Sequence, residues 1–215
     1  MTDSAKARLQ TLLRARIDAP AMRWLDEAMS SQSHDELCRA YTAAPKHVGR
    51  APIGVAEYGG WTADDAARCV LLLGVAERLE PQVLAAAAIE CFERGDSREQ
   101  QSWLRGLSLM PQPERFRAIA VDACRTNIVP LFESIACENP YPARFFPDLN
   151  FNQLVLKAMF NDIALARIVD LRERSNAELT RMAADYAAER RAAGRSVPSD
   201  LALAMQHPIH EELVR

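Results

Sequence analysis

The run Cys69-Val70-Leu71-Leu72-Leu73-Gly74-Val75-Ala76 constrains this chain more than any other feature. It follows Thr62, a helix-starting residue, with Asp64 and Asp65 in the first turn, where acids suit the positive end of the helix dipole. A helix that is apolar on every side must be enclosed by other elements, so the rest of the chain has to wrap around it. Composition says what does the wrapping. Ala and Leu together number 59 against 26 for Val, Ile and Thr, a ratio that favours helix over sheet. With 215 residues, 49% of them hydrophobic and 26% charged, the chain has enough material for its own core. That balance excludes a disordered, collagen-like or disulfide-stapled class.

Helical spacing recurs along the chain. Ala5, Leu9, Leu12, Leu13 and Ile17 form an amphipathic start that Asp18 and Pro20 stop, and a second short helix follows Pro20. Ser33 with Glu36 three residues on is a capping box for a third helix running towards Pro45. Residues 49–60 hold Pro52, Gly54 and Gly59 without a period, which predicts a loop and the likeliest internal boundary. Beyond the apolar helix, Pro81 starts a neighbour in which Ala85 to Ala88 allow close approach, and Gly95 is expected to end it as a C′ residue. Asp96 or Ser97 opens a helix bearing Trp103, Leu104 and Leu107, broken from the next by Pro111 and Pro113. Phe116, Ile119, Ala120, Ala123 and Cys124 mark one helix, and Leu131, Phe132, Ile135 and Ala136 another.

Residues 140–147, with three prolines and three aromatics, form an irregular segment packed down on the fold. Asn150 is expected to cap a helix at 151–160, and Ser175 with Glu178 a helix carrying Leu179, Met182, Ala183, Tyr186 and Ala187, which Gly194 ends. Pro198-Ser199-Asp200 begins a last short helix, and the tail after His207 is expected to fray. The fold expected is all-α, one domain over residues 1–215: irregular antiparallel helix pairs of a HEAT-like or α-solenoid-like kind, with a compact helical bundle as the alternative.

A formal charge of −3 and a pI near 5.9 give no general attraction for nucleic acid or anionic lipid. Cys38, Cys69, Cys91, Cys124 and Cys137 contain no CxxC pair and read as buried thiols of a reducing compartment. The opening residues lack the order of a signal peptide and the apolar runs are too short to span a bilayer, so the expectation is a cytoplasmic protein without a transmembrane segment.

Four strings in the C-terminal half carry a resemblance: Ala123-Cys124-Arg125-Thr126-Asn127, Cys137-Glu138-Asn139-Pro140-Tyr141-Pro142-Ala143, residues 151–158 and residues 185–195. Across residues 98–201 the chain resembles the bacterial EboA family. The resemblance implies a component of a gene cluster for making or exporting secondary metabolites, alongside enzymes and a prenyltransferase-like membrane protein. It brings no catalytic motif to carry over.

Any chemistry must therefore come from the residues themselves. His34, His47, His207 and His210 are the four histidines, and the last pair, with Glu211, reads as a solvated tail and not a metal site. HExxH, GxGxxG and the P-loop pattern are absent, and Asp64-Asp65 lacks the third acid of an isoprenoid-synthase motif. No metal and no cofactor is expected, and the reading leans away from an enzyme. One polar cluster stands in apolar surroundings: Asn127, Glu133, Glu138, Asn139, Tyr141, Asn152, Gln153 and Lys157. Buried without partners, each such group would cost about 1–3 kcal/mol, so they cap helices, bond one another or line a ligand pocket. Lys157 calls for a carboxylate, with Glu133 or Glu138 as the candidates. Two functions follow as expectations: a non-enzymatic helical adaptor or scaffold binding a partner protein or metabolite of the same gene cluster, or an enzyme or small-molecule binder with its pocket around Lys157.

Overall fold

Short polar side chains set most of the helix starts. The structure, a computed structural model, describes residues 4–30 and 33–206. Helix α1 (Ala5–Arg14) begins at Ser4, whose hydroxyl accepts the Ala7 N–H, and α2 (Ala19–Ala28) begins at Asp18 in the same way through Ala21. Helix α3 (His34–Val48) has the reciprocal box of Ser33 and Glu36, α4 (Ala63–Ala76) that of Thr62 and Asp65. Helix α5 (Pro81–Arg94) starts on proline, and α6 (Ser97–Gly106) on a third box, Asp96 with Glu99. There follow α7 (Arg117–Ala123), α8 (Val129–Ala136), α9 (Tyr141–Phe145), α10 (Asp148–Phe160), α11 (Leu171–Arg174) and α12 (Ala177–Ala192), with short 3-10 turns between several of them. The protein is all-helical: among the described residues the only β feature is a single bridge between Pro52 and Thr62.

Four local expectations are corrected. Helix α3 does not stop before Pro45 but runs through it to Val48. Gly95 ends α5 with φ −73° rather than in the left-handed region, and is small for a different reason: a Cβ there would stand 2.7 Å from the Cys91 carbonyl oxygen. Helix α10 opens at Asp148, which places Asn150 inside its first turn. The cap of α12 is Asn176, whose Oδ1 accepts the Leu179 N–H at 2.9 Å, while Ser175 is buried and donates to the Ala204 carbonyl. Gly194 does end that helix region with φ +66°. The tail after His207 lies outside the described residues.

The chain divides into two compact units, Met1–Ile135 and Ala136–Arg215. In the first, α4 is the axis: every residue from Ala63 to Val75 is buried, with α1, α3 and α6 packed against it. The loop at 49–60 belongs to this unit and is pinned, the Ile53 N–H reaching the Trp61 carbonyl at 2.9 Å and Ile53, Tyr58 and Trp61 all buried. In the second unit α10 and α12 pack together over Phe151, Leu154, Val155, Leu179 and Ala183, and α12 and α11 meet the 3-10 turn at Ser199–Ala204.

Candidate functional site

The sequence-predicted polar residues are distributed over both units. In the first, Asn127 is exposed in the link before α8, and Glu133 is half-buried on α8. In the second, Glu138 has φ +49°, and Arg167 holds it twice: the Glu138 N–H donates to the Arg167 carbonyl at 2.8 Å, while the guanidinium donates to the Glu138 carboxylate at 2.8 and 3.0 Å. Asn139 is buried, and its Oδ1 accepts the Tyr141 N–H at 3.0 Å, so it starts α9. Asn152 is buried too and exchanges two amide hydrogen bonds of 3.0 Å with Asn176. Gln153 is exposed and Lys157 half-buried on α10. The structure thus brings together Asn139 with Tyr141, gives Glu138 and Asn152 partners absent from the predicted set, and leaves Asn127 and Gln153 facing solvent.

The densest concentration of charge lies elsewhere, at the start of α4, and sequence reasoning read it only as dipole complement. Asp64 and Asp65 are fully buried and Arg68 is 2% exposed. The Arg68 guanidinium donates to Asp64 at 2.9 Å, to Ser102 Oγ at 3.0 Å and, through Nε, to the Tyr41 carbonyl at 3.0 Å. Ser102 in turn donates to Asp65 at 2.5 Å, Arg105 reaches Asp65 at 3.2 Å, and Arg50 stands 3.7 Å from Asp64. Two carboxylates therefore face three guanidinium groups on α3, α4 and α6 or their flanks, each buried charge with a direct partner, as burial requires. The signal was present as an i, i+4 acid–base pair, Asp64 and Arg68, on a helix already judged to be enclosed.

Sequence reasoning also missed a cleft of about 430 Å³ between α3 and α5. Its walls carry Arg39, Lys46 and Arg94, and its lining includes both Cys38 and Cys91, whose sulfurs lie 3.3 Å apart. Burial pushes both thiols above the ordinary thiol range. At the rim Arg94 bridges Asp35 at 3.0 Å and Glu90 at 2.8 Å. A roomier and more apolar cleft, about 660 Å³, lies between α5 and α7 against Phe92, Ile119 and Ala123. Nothing in the spacing of cysteines 53 residues apart announces the first cleft.

A family model described as the metabolite traffic protein EboA matches residues 5–206. The chain belongs to the EboA family. The match takes in α1 to α5 as well, well beyond the region 98–201 that carried the resemblance in sequence. No curated protein and no solved structure matches the chain. Among the described residues no helix is long and apolar enough to cross a membrane, and no three His, Cys, Asp or Glu side chains gather into a metal-binding group. His207 and His210 lie outside the described residues.

Proposed function

We propose that this EboA-family chain is a non-enzymatic helical adaptor in secondary-metabolite biosynthesis or export, handling a metabolite or a partner protein of the same gene cluster. The observation that carries this reading is membership, over nearly the whole chain, of a family described by metabolite traffic. The disposition of charge supports it. Inside the first unit Arg68 donates to Asp64 and to Ser102, and Ser102 donates to Asp65, while Glu138 faces Arg167 and Asn152 faces Asn176. Groups engaged in this way hold helices together, whereas a general acid or base must present its proton to a substrate. For the first unit, the packing of α1, α3 and α6 around α4 favours the compact bundle over a HEAT-like stack, in which each repeat meets mainly its neighbours.

A second reading, a dedicated small-molecule-binding protein, is favoured by the α3–α5 cleft, whose Arg39, Lys46 and Arg94 suit an anionic metabolite. The polar residues around Lys157 are the competing location for such a ligand.

Metabolite profiling of producing cells that lack the chain separates the classes. An adaptor predicts the same set of compounds with an altered distribution between cells and medium. Accumulation of a precursor one chemical step short of the product would overturn it in favour of an enzyme. Complementation with Arg39→Glu/Lys46→Glu or with Lys157→Gln then locates any ligand.

A further inference from the structure

We propose that Cys38 and Cys91 are a modification site, at which a small peroxide entering the α3–α5 cleft joins the two sulfurs in a disulfide that ties α3 to α5. The two residues are 53 positions apart in sequence, and their Sγ atoms are 3.3 Å apart. A disulfide bond is about 2.05 Å long, so the sulfurs have little more than an ångström to close. Both are free thiols, and both line the cleft. That access distinguishes them from Cys69, which is buried where α4 meets Gly106 of α6. Each is nearly covered, Cys38 7% and Cys91 2% exposed, so the cleft admits a reagent of peroxide size more readily than a bulky one.

The arrangement assigns the two sulfurs different roles. Cys38 is the less covered, and its contact with Cys91 works against the rise that burial imposes on it. Cys91 is the more deeply set, and burial followed by the Cys38 contact raises it. Cys38, the more accessible sulfur, is therefore the one that meets the peroxide, and it attacks once it has given up its proton to water. Its sulfur bonds to one oxygen of hydrogen peroxide as the O–O bond breaks, giving a sulfenic acid at Cys38 and hydroxide, which takes up a proton to become water. The Cys91 sulfur then attacks the Cys38 sulfur, the S–O bond breaks, and the oxygen leaves as a second water with the proton that Cys91 gives up. Two thiols lose two electrons and two protons, and the peroxide is reduced to two waters.

The site does not depend on the adaptor reading, since it rests on the contact and the cleft alone. The test uses the full reduced chain treated with dilute hydrogen peroxide, followed by intact mass measurement and non-reducing peptide mapping. The expected product is two hydrogens lighter, with the Cys38 and Cys91 peptides joined and released by dithiothreitol. Its thermal midpoint rises by several degrees, because the crosslink closes a long loop in the unfolded chain. In Cys91→Ala the same treatment should leave Cys38 as a sulfenic acid that dimedone captures. A crosslink through Cys69, Cys124 or Cys137, a sulfinic acid at Cys38 without a crosslink, or a chain that stays fully reduced would overturn the proposal. The mapping is made on the unsubstituted chain and decides the matter whether or not the variant folds.

Discussion

In each unit of this protein an arginine donates to backbone carbonyls at a helix, and the two differ in depth. In the first, Pro45 sits inside α3 and brings no N–H to the Tyr41 carbonyl four residues earlier, which a helix would otherwise pair. Arg68 fills that place with Nε at 3.0 Å and stacks over the Tyr41 ring at 5.4 Å. In the second, Arg174 gathers the carbonyls of Pro142, Ala143 and Phe146 at the end of α9, lies 4.6 Å over the Phe151 ring and bonds Asp148 at 3.0 Å. Arg174 keeps 20% of its side chain in solvent, whereas Arg68 keeps 2%. Depth dictates the surroundings. A guanidinium near water needs only one exposed carboxylate beside it, while the buried one needs Asp64, and Asp64 and its neighbour Asp65 then need Thr62, Ser102 and Arg105.

That contrast can be broken by substitution, read as urea midpoints at unchanged slope. Arg68→Met should cost most, about 3–5 kcal/mol, because it strands a buried Asp64 and reopens the Tyr41 carbonyl. Arg174→Met should cost less, about 1.5–3 kcal/mol, since water can replace part of what it bonds. If the two cost the same, depth is not what separates the units. Asn176→Ala removes both the cap of α12 and the partner of Asn152, for about 1–2 kcal/mol. Arg181→Ala, which breaks exposed pairs with Glu178 and Asp185 on α12, should leave the midpoint unmoved.

The same contrast explains what the sequence could disclose. Helix starts were legible where a pair such as Ser33 with Glu36 acts within one turn, and the enclosure of α4 was legible from its unbroken apolar run. Asn150 and Ser175 misled for a related reason. Several short polar residues stood near each start, and only packing chose Asp148 as the first residue of α10 and Asn176 as the cap of α12. Pairings across the fold were not legible at all. Glu138 meets Arg167 at a distance of 29 residues, Arg68 meets Ser102 at 34, and Cys38 meets Cys91 at 53. Each depends on how helices are laid side by side, which local periodicity does not encode.

Whether Arg68 takes the place of the N–H missing at Pro45 is decided by a double-mutant cycle between these two residues. Pro45→Ala supplies an N–H for the Tyr41 carbonyl, so it should help much more when Arg68 is absent. Pro45→Ala should recover about 1 kcal/mol of stability in the Arg68→Met background beyond its effect in the parent chain. Purely additive effects would contradict it, and would leave Arg68 as a counter-ion for Asp64 alone.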